Sequence, residues 1–398
     1  MRALYFTDTY PPQVNGVSVV THLSVRGLMA RGWDVGVVAP EYPDTADVFG
    51  AAADQVVMTL PSIPCPAYPD LRLAAPSWAR VRRLVREFRP DVVHCCTEFV
   101  IGWLGRRAAR AAGLPIVTSY HTDFGRYLAS YGVPVLSGVV DGYLTRFHRS
   151  AHQTLTPSGV VQRELVERGI RQAQVWGCGV DAETFRPDRA TAECRGTLGG
   201  AGRFVFLHVG RLAPEKSVDR LLAGFARCRE VLGDDIRLVI AGEGPSRPEL
   251  ERIAPPGVQF VGFLDRATRL AELYASADAF VFASETETLG LVLLEAMASG
   301  LPVVAVPAGG VADHLRHGVN GLAWKGGGAV DHLASHMVEL ATTPSLRESL
   351  AAGARATAAA LTWDVELDRL DAIYRGLLPS RALPPSTLAP SVPVPIRV

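Results

Sequence analysis

Ser284-Glu285-Thr286-Glu287-Thr288-Leu289-Gly290-Leu291-Val292-Leu293-Leu294-Glu295-Ala296-Met297-Ala298-Ser299-Gly300 follows the apolar run Ala279–Phe282 and leads into Leu301-Pro302-Val303-Val304. A short apolar run, a polar loop, a helical pattern and a second apolar run make one β/α unit of a parallel sheet. Gly290 stands where the helix starts, and Gly300-Leu301-Pro302 closes it. The backbone N–H groups at such a start point outward and favour a diphosphate. Glu287 precedes the helix, and Glu295 lies a little over two turns further on, pointing roughly the same way. One carboxylate would address a sugar ring and the other a ribose. Position alone fits equally well an acidic patch favoured by the helix dipole.

The same alternation extends outward in both directions. Before the quoted stretch lie the strand patterns Phe204–Val209, Arg237–Ala241 and Gln259–Val261, and after it Pro302–Ala305, with a helical pattern at Ser217–Leu232. An equivalent series occupies the first half: Arg2–Phe6, Asp34–Ala39, Val92–Cys95, Ile116–Ser119 and Gln153–Leu155, with helical patterns at Val17–Arg31 and Trp78–Phe88. Between the series, Asp181 to Gly202 is polar and rich in Gly, Arg and Ala. The expected organisation is therefore α/β, with two Rossmann-like domains whose parallel sheets face each other across a cleft. Residues 1–180 form the first domain, 181–202 the linker and 203–362 the second domain. A helix at 363–378 and a Pro- and Ser-rich flexible tail at 379–398 follow. Open sheets of this kind bind ligands at the carboxyl ends of their strands.

Composition excludes several classes. The 398 residues have zero formal net charge, which gives no electrostatic footing for nucleic acid. No apolar run approaches the ~20 residues that span a bilayer, and the opening strand pattern is too short for a secretory signal. Six cysteines without a Cys-x-x-Cys pair fit buried thiols in a reducing cytoplasm. The first loop lacks Gly-x-Gly-x-x-Gly, which disfavours a dinucleotide-dependent dehydrogenase. There is no Asp-x-Asp pair to hold a divalent cation against a diphosphate, so no metal and no cofactor is expected. His332 and His336 lie four apart on a helical pattern but have no third ligand nearby in sequence.

Three further loops fall at strand ends. His208-Val209-Gly210-Arg211-Leu212-Ala213-Pro214-Glu215-Lys216-Ser217 carries two cations five residues apart, and Lys216 and Lys325 are the only lysines of the chain. Arg211 and Lys216 converging on one diphosphate would neutralise charge on a leaving group; a solvated loop is the plainer alternative. Thr9-Tyr10-Pro11-Pro12-Gln13-Val14-Asn15-Gly16-Val17 holds a glycine that lets backbone approach a phosphate. Thr118-Ser119-Tyr120-His121-Thr122-Asp123-Phe124 ends another strand pattern.

Glu287 and Glu295, separated by seven residues and followed by Ala296-Met297-Ala298-Ser299-Gly300-Leu301-Pro302-Val303-Val304, closely resemble the signature of the retaining family-4 glycosyltransferases. Gly210-Arg211-Leu212 with Lys216-Ser217 resembles that family's basic loop, with Ser217 in place of the usual Gly. Ile240–Pro245, Val261–Leu264, Ala308–Val311 and Asn320-Gly321 match smaller family loops, with Asp313 where many relatives have Glu. The resemblance covers about residues 1–378 and implies the GT-B fold. It also implies a nucleotide-diphosphate sugar donor and a lipid or glycan acceptor. Glu287 is then expected at the donor hexose, Glu295 at the ribose, Gly262 and Phe263 at the base, and Arg211 and Lys216 at the diphosphate. Asn15, Gly16, Gly210, Leu289, Gly290 and Leu291 complete the donor contacts; Leu289 departs from the usual Phe. His121 is expected to position the donor sugar and to act with Arg211, Lys216 and Glu287 in catalysis, while Tyr10, Arg72 and Asp123 face the acceptor.

The amino-terminal loop, Tyr68–Ala74 and the Ser119–Asp123 segment look most like bacterial α-mannosyltransferases that use GDP-mannose. Relatives transferring glucose or sulfoquinovose from UDP-sugars share much of this. A nucleotide-sugar epimerase or a silent binder remains the alternative of another class. Residues 72–110 hold nine arginines, several interleaved with Trp78, Val81, Leu84, Val85 and Phe88 at helical spacing. Peripheral contact with an anionic membrane, or an ordinary Arg-rich surface helix, both fit that pattern.

Overall fold

The structure, a computed structural model, describes residues 1–13, 15–42, 55–65, 68–121, 137–177, 179–199 and 202–378. Asp123 and the tail 379–398 lie outside the described residues. The strands of the first half are β1 (Arg2–Phe6), β2 (Asp34–Pro40), β3 (Val56–Leu60), β4 (Ser62–Cys65), β5 (Tyr68–Ala74), β6 (Val92–Cys95), β7 (Ile116–Ser119), β8 (Gln153–Thr156) and β9 (Ala173–Val175). Those of the second half are β10 (Phe204–Val209), β11 (Ile236–Ala241), β12 (Val258–Gly262), β13 (Ala279–Phe282), β14 (Val303–Ala305) and β15 (Gly321–Ala323).

They build two parallel sheets, ordered β3-β2-β1-β6-β7-β8-β9 and β12-β11-β10-β13-β14-β15, plus the small antiparallel pair β4-β5. Strands such as Phe-Val-Phe-Leu-His-Val of β10 are apolar almost throughout because helices cover both sheet faces. In each sheet the strand order reverses beside the first strand, between β1 and β6 and between β10 and β13. Crevices form at such switch points. The loops read as functional follow β1, β7, β10 and β13, so three of the four lie at these crevices.

The helix Trp363–Leu377 packs on the amino-terminal half. Tyr374 is fully buried there, with its hydroxyl 2.5 Å from His94 Nδ1 and 2.8 Å from the Tyr5 hydroxyl. Trp33 Nε1 donates to Asp371 at 2.6 Å, and Arg31 Nε donates to Asp368 at 2.8 Å. A Cβ on Gly27 would lie 2.2 Å from a Leu367 methyl, so helix and helix meet only because residue 27 has no side chain. Segment 181–202 is polar in composition yet contributes Phe185, Cys194 and Leu198 to the core of the carboxyl-terminal half. The arginine-rich helix Trp78–Phe88 turns Val81 and Val85 fully inward, and Trp78, Leu84 and Phe88 pack on the same core. Its exposed positions are Ala79, Glu87 and the arginines.

Candidate active site

In the carboxyl-terminal half, backbone-to-backbone bonds stitch three strand ends together. Gly210 N–H donates to Ala241 O at 3.0 Å, and Gly242 N–H donates to Gly262 O at 2.8 Å. Gly242 has φ 140°, and a Cβ there would fall 1.9 Å from Gly210 O, so only glycine allows this approach. The chain then makes a short 3₁₀ turn, Pro214–Lys216, before the helix Val218–Leu232. Hydroxyls of Ser284 and Thr286, on the loop after β13, donate to Glu215 O. The two loops are thereby held side by side, and Lys216 Nζ meets Glu287 Oε2 at 2.6 Å with both side chains largely buried.

Gly290 caps the helix Leu291–Ala298 at φ 82°, a left-handed conformation that any other residue adopts under strain. The neighbouring loop after β14 seats on it. Gly310 N–H donates to Glu287 O at 2.8 Å, and Cβ atoms on Gly309 or Gly310 would clash with the carbonyls of Glu287 and Thr288. Glu295 is nearly buried on the same helix. It accepts from Arg266 Nε and Nη2 at 3.0 and 2.7 Å and lies 3.1 Å from the Tyr274 hydroxyl. Glu287 and Glu295 are therefore held by different cations, Lys216 and Arg266. Phe263, at the end of β12, exposes 56% of its surface, unusual for an aromatic ring beside a loop crevice.

The facing edge of the amino-terminal half is built differently. Asp8, after β1, is fully buried and accepts from the Thr97 hydroxyl at 2.6 Å and from Ile101 N–H at 2.9 Å, the start of helix Val100–Ala112. Burial pushes its carboxyl up to about 6, against these hydrogen bonds. Glu98 is buried against His148, with Oε1 3.2 Å from Nε2, and His148 Nδ1 lies 3.0 Å from Thr118 Oγ1 on β7. His121 closes this edge half-buried. Burial, with His148 adding to it, pushes its imidazole down to about 4, so the ring is neutral at physiological pH. The His121 carbonyl accepts from Thr288 Oγ1 at 2.6 Å, and Asp313 accepts from Gly159 N–H. Both bonds join the two halves.

Several of the expected residues have structural partners, and one expectation is corrected. Tyr10 is fully buried in the amino-terminal core, edge-on to His22, and presents no surface to an acceptor. Arg72 donates to the Ser62 hydroxyl and carbonyl at 2.7 and 2.8 Å, which ties β4 to β5, and its guanidinium lies 5.7 Å over the Tyr42 ring. Leu289 is buried in the amino-terminal cluster, with Leu291 packed against it, so these leucines bridge the halves. Asn15 caps the helix Gly16–Ala30 by accepting from Ser18 N–H at 2.9 Å, and its amide donates to Thr9 at 2.8 Å. It shapes the loop, while Gly16 lies exposed with open space where a Cβ would stand. Arg266, Tyr274, Thr288 and the Glu98–His148 pair carry no sequence signal, because each acts through a partner 18 or more residues away.

Among the described residues no group of three or more His, Cys, Asp or Glu is arranged to hold a metal ion, and no helix is long and apolar enough to cross a membrane. Residues 14–184 match the model for Glycosyltransferase Family 4, and residues 197–357 that for Glycosyl transferases group 1. The chain is 35% identical to a GDP-mannose-dependent alpha-mannosyltransferase of Mycobacterium tuberculosis, over 95% of this chain and 97% of that one. It is 31% identical to the alpha-monoglucosyldiacylglycerol synthase of Streptococcus pneumoniae, over 77% and 71% respectively. Sucrose-phosphate synthase from Thermosynechococcus elongatus has the same fold, with a TM-score of 0.76 at 19% identity over 94% of this chain and 98% of that one. With two parallel-sheet domains, a Glu287/Glu295 helix and a basic loop facing it, the chain belongs to the family-4 glycosyltransferases of GT-B fold.

Proposed function

We propose that this glycosyltransferase moves mannose from GDP-mannose, with retention of the α configuration, to a hydroxyl of a lipid or glycan acceptor, and that it does so without metal. The observation that carries the reading is the Lys216–Glu287 pair at the crevice between β10 and β13. A cation and a carboxylate meet there, which supports reading Glu287 as the group directed at the sugar. On donor binding, Lys216 and Arg211 neutralise the diphosphate as the glycosidic bond breaks. Glu287 holds the hexose hydroxyls, and Glu295 the ribose. The departing phosphate oxygen takes the acceptor's proton, and a neutral His121 orients the sugar instead of acting as the base. The choice of mannose draws on the mycobacterial relative, which aligns along nearly the whole chain. A UDP-glucose donor is the second reading, favoured by the likeness to the glucosyldiacylglycerol synthase.

Calorimetric titration of GDP-mannose, UDP-glucose, GDP and UDP in metal-free buffer tests this. Tighter binding of the guanine pair is expected. A preference for the uracil pair overturns the mannose donor, and no binding at all overturns the diphosphate site.

The exposed Arg80, Arg82, Arg83, Arg86 and Arg89 of the helix Trp78–Phe88 and the residue that follows it support a cytoplasmic enzyme that adsorbs electrostatically to an anionic bilayer. Cosedimentation with anionic but not neutral vesicles is expected, weakened by Arg82→Glu with Arg86→Glu. Equal sedimentation with both vesicle types would remove the membrane from the proposal.

A further inference from the structure

Glu295 is only 5% exposed at its side chain, and both hydrogen-bonding nitrogens on one edge of Arg266 converge on a single oxygen, Oε1. A carboxylate offers about four acceptor positions; Arg266 occupies those on Oε1 and leaves Oε2. The Tyr274 hydroxyl stands 3.1 Å from Oε2 and 3.2 Å from the Val292 carbonyl. It has one proton, so it serves one of these acceptors at a time, and turning to Val292 releases Oε2 to another donor. Phe185, fully buried, lies 4.7 Å under the Arg266 guanidinium and stands edge-on to Tyr274 at 5.5 Å. These four side chains come from the interdomain segment, the loop after β12 and two helices, and each fixes the rotamer of the next. Burial opposes the charge on Arg266, yet Glu295 holds the guanidinium above its ordinary range. Burial and Glu295 keep the Tyr274 phenol protonated.

We propose that Arg266 and Tyr274 are positioning residues that make Glu295 a one-sided acceptor, presenting Oε2 to the vicinal hydroxyls of a nucleoside-diphosphate ribose. The site thereby selects ribonucleotides over deoxyribonucleotides. The proposal rests on the assignment of Glu295 to the ribose made above. It differs from a general stabilising role because it predicts a ratio of affinities: losing Arg266 frees the carboxylate to rotate, which weakens the ribonucleotide and leaves the deoxyribonucleotide nearly unaffected.

The experiment compares GDP, UDP and their 2′-deoxy counterparts by calorimetry on the full chain, in wild type, Glu295→Gln, Arg266→Met, Arg266→Lys and Tyr274→Phe. Wild type is expected to favour the ribose form by about tenfold or more, as for a hydrogen bond to a charged group. Arg266→Met brings the ratio close to one. Arg266→Lys lowers it partway, since an ammonium cannot give the paired edge, and Tyr274→Phe has the smallest effect. Arg266→Lys and Tyr274→Phe carry the test if Arg266→Met does not fold. Folded Arg266 variants that weaken both forms equally overturn the positioning role. A wild-type ratio near one, or a ratio unchanged in Glu295→Gln, overturns the ribose assignment itself.

Discussion

The two halves share one architecture and carry opposite chemistry along their facing edges. In the carboxyl-terminal half the carboxylates Glu285, Glu287 and Glu295 each meet a permanent cation, in Arg220, Lys216 and Arg266. In the amino-terminal half the buried Asp8 and Glu98 are held by a hydroxyl, backbone amides and a histidine. An ion pair at a crevice can open and lend its cation to an arriving diphosphate. A carboxylate locked by hydrogen bonds to its own backbone has nothing to lend. On the function proposed above, the charged leaving group would bind to the half that carries exchangeable cations, and the acceptor hydroxyl to the half whose carboxylates are already held.

Removing the cation that the comparison turns on has the largest expected effect. Lys216→Ala deprives the developing diphosphate of a charge partner and leaves Glu287 without its own. Turnover falls by about 10²-fold or more, measured as kcat with saturating donor. Because the two side chains act as a pair, Lys216→Ala combined with Glu287→Gln loses less than the product of the single losses. Wild-type turnover in Lys216→Ala, or strict additivity in the double variant, breaks the contrast between the halves at its strongest point.

The amino-terminal side of the comparison is tested through pH. Asp8 moves from 3.8 to about 6 on folding, so between these values the folded chain holds more protons than the unfolded one. Stability from this residue therefore falls as pH rises through that window, and the full penalty stands above about pH 6. From pH 5 to 7 the wild type should lose about 1 kcal/mol relative to Asp8→Asn, read from urea unfolding of both proteins. Parallel slopes would mean that Asp8 is not the buried acid described here.

How much of this was visible beforehand divides along the same line. The β/α repeat and the strand-end loops follow from apolar runs and glycines, which are local signals. The pairing partners were not visible: nothing in the chain couples Arg266 to Glu295 across 29 residues, or Glu98 to His148 across 50. The β4-β5 hairpin also escaped notice, since Pro64 and Pro69 obscure an alternating pattern, and with it the tie between Arg72 and Ser62. The burial of Tyr10 is hidden from sequence for a related reason. A tyrosine beside two prolines has the composition of a surface loop, and only the fold reveals that the chain turns it inward.

The smallest expected effect is none at all. If the basic loop supplies the charge that other sugar-nucleotide sites take from a divalent ion, turnover is unchanged by a chelator. On the proposed reading, Arg211 and Lys216 in one strand-to-helix loop would give a diphosphate two positive charges, and their field would disfavour a further cation at the same place. The measurement is the transfer rate of protein dialysed against chelator, with and without added Mg²⁺ or Mn²⁺. Equal rates sharpen the comparison, because side chains alone then neutralise the leaving group. A rate that appears only with the metal would mean that Lys216 serves mainly to hold Glu287, and that the half read as cationic depends on an ion for its chemistry.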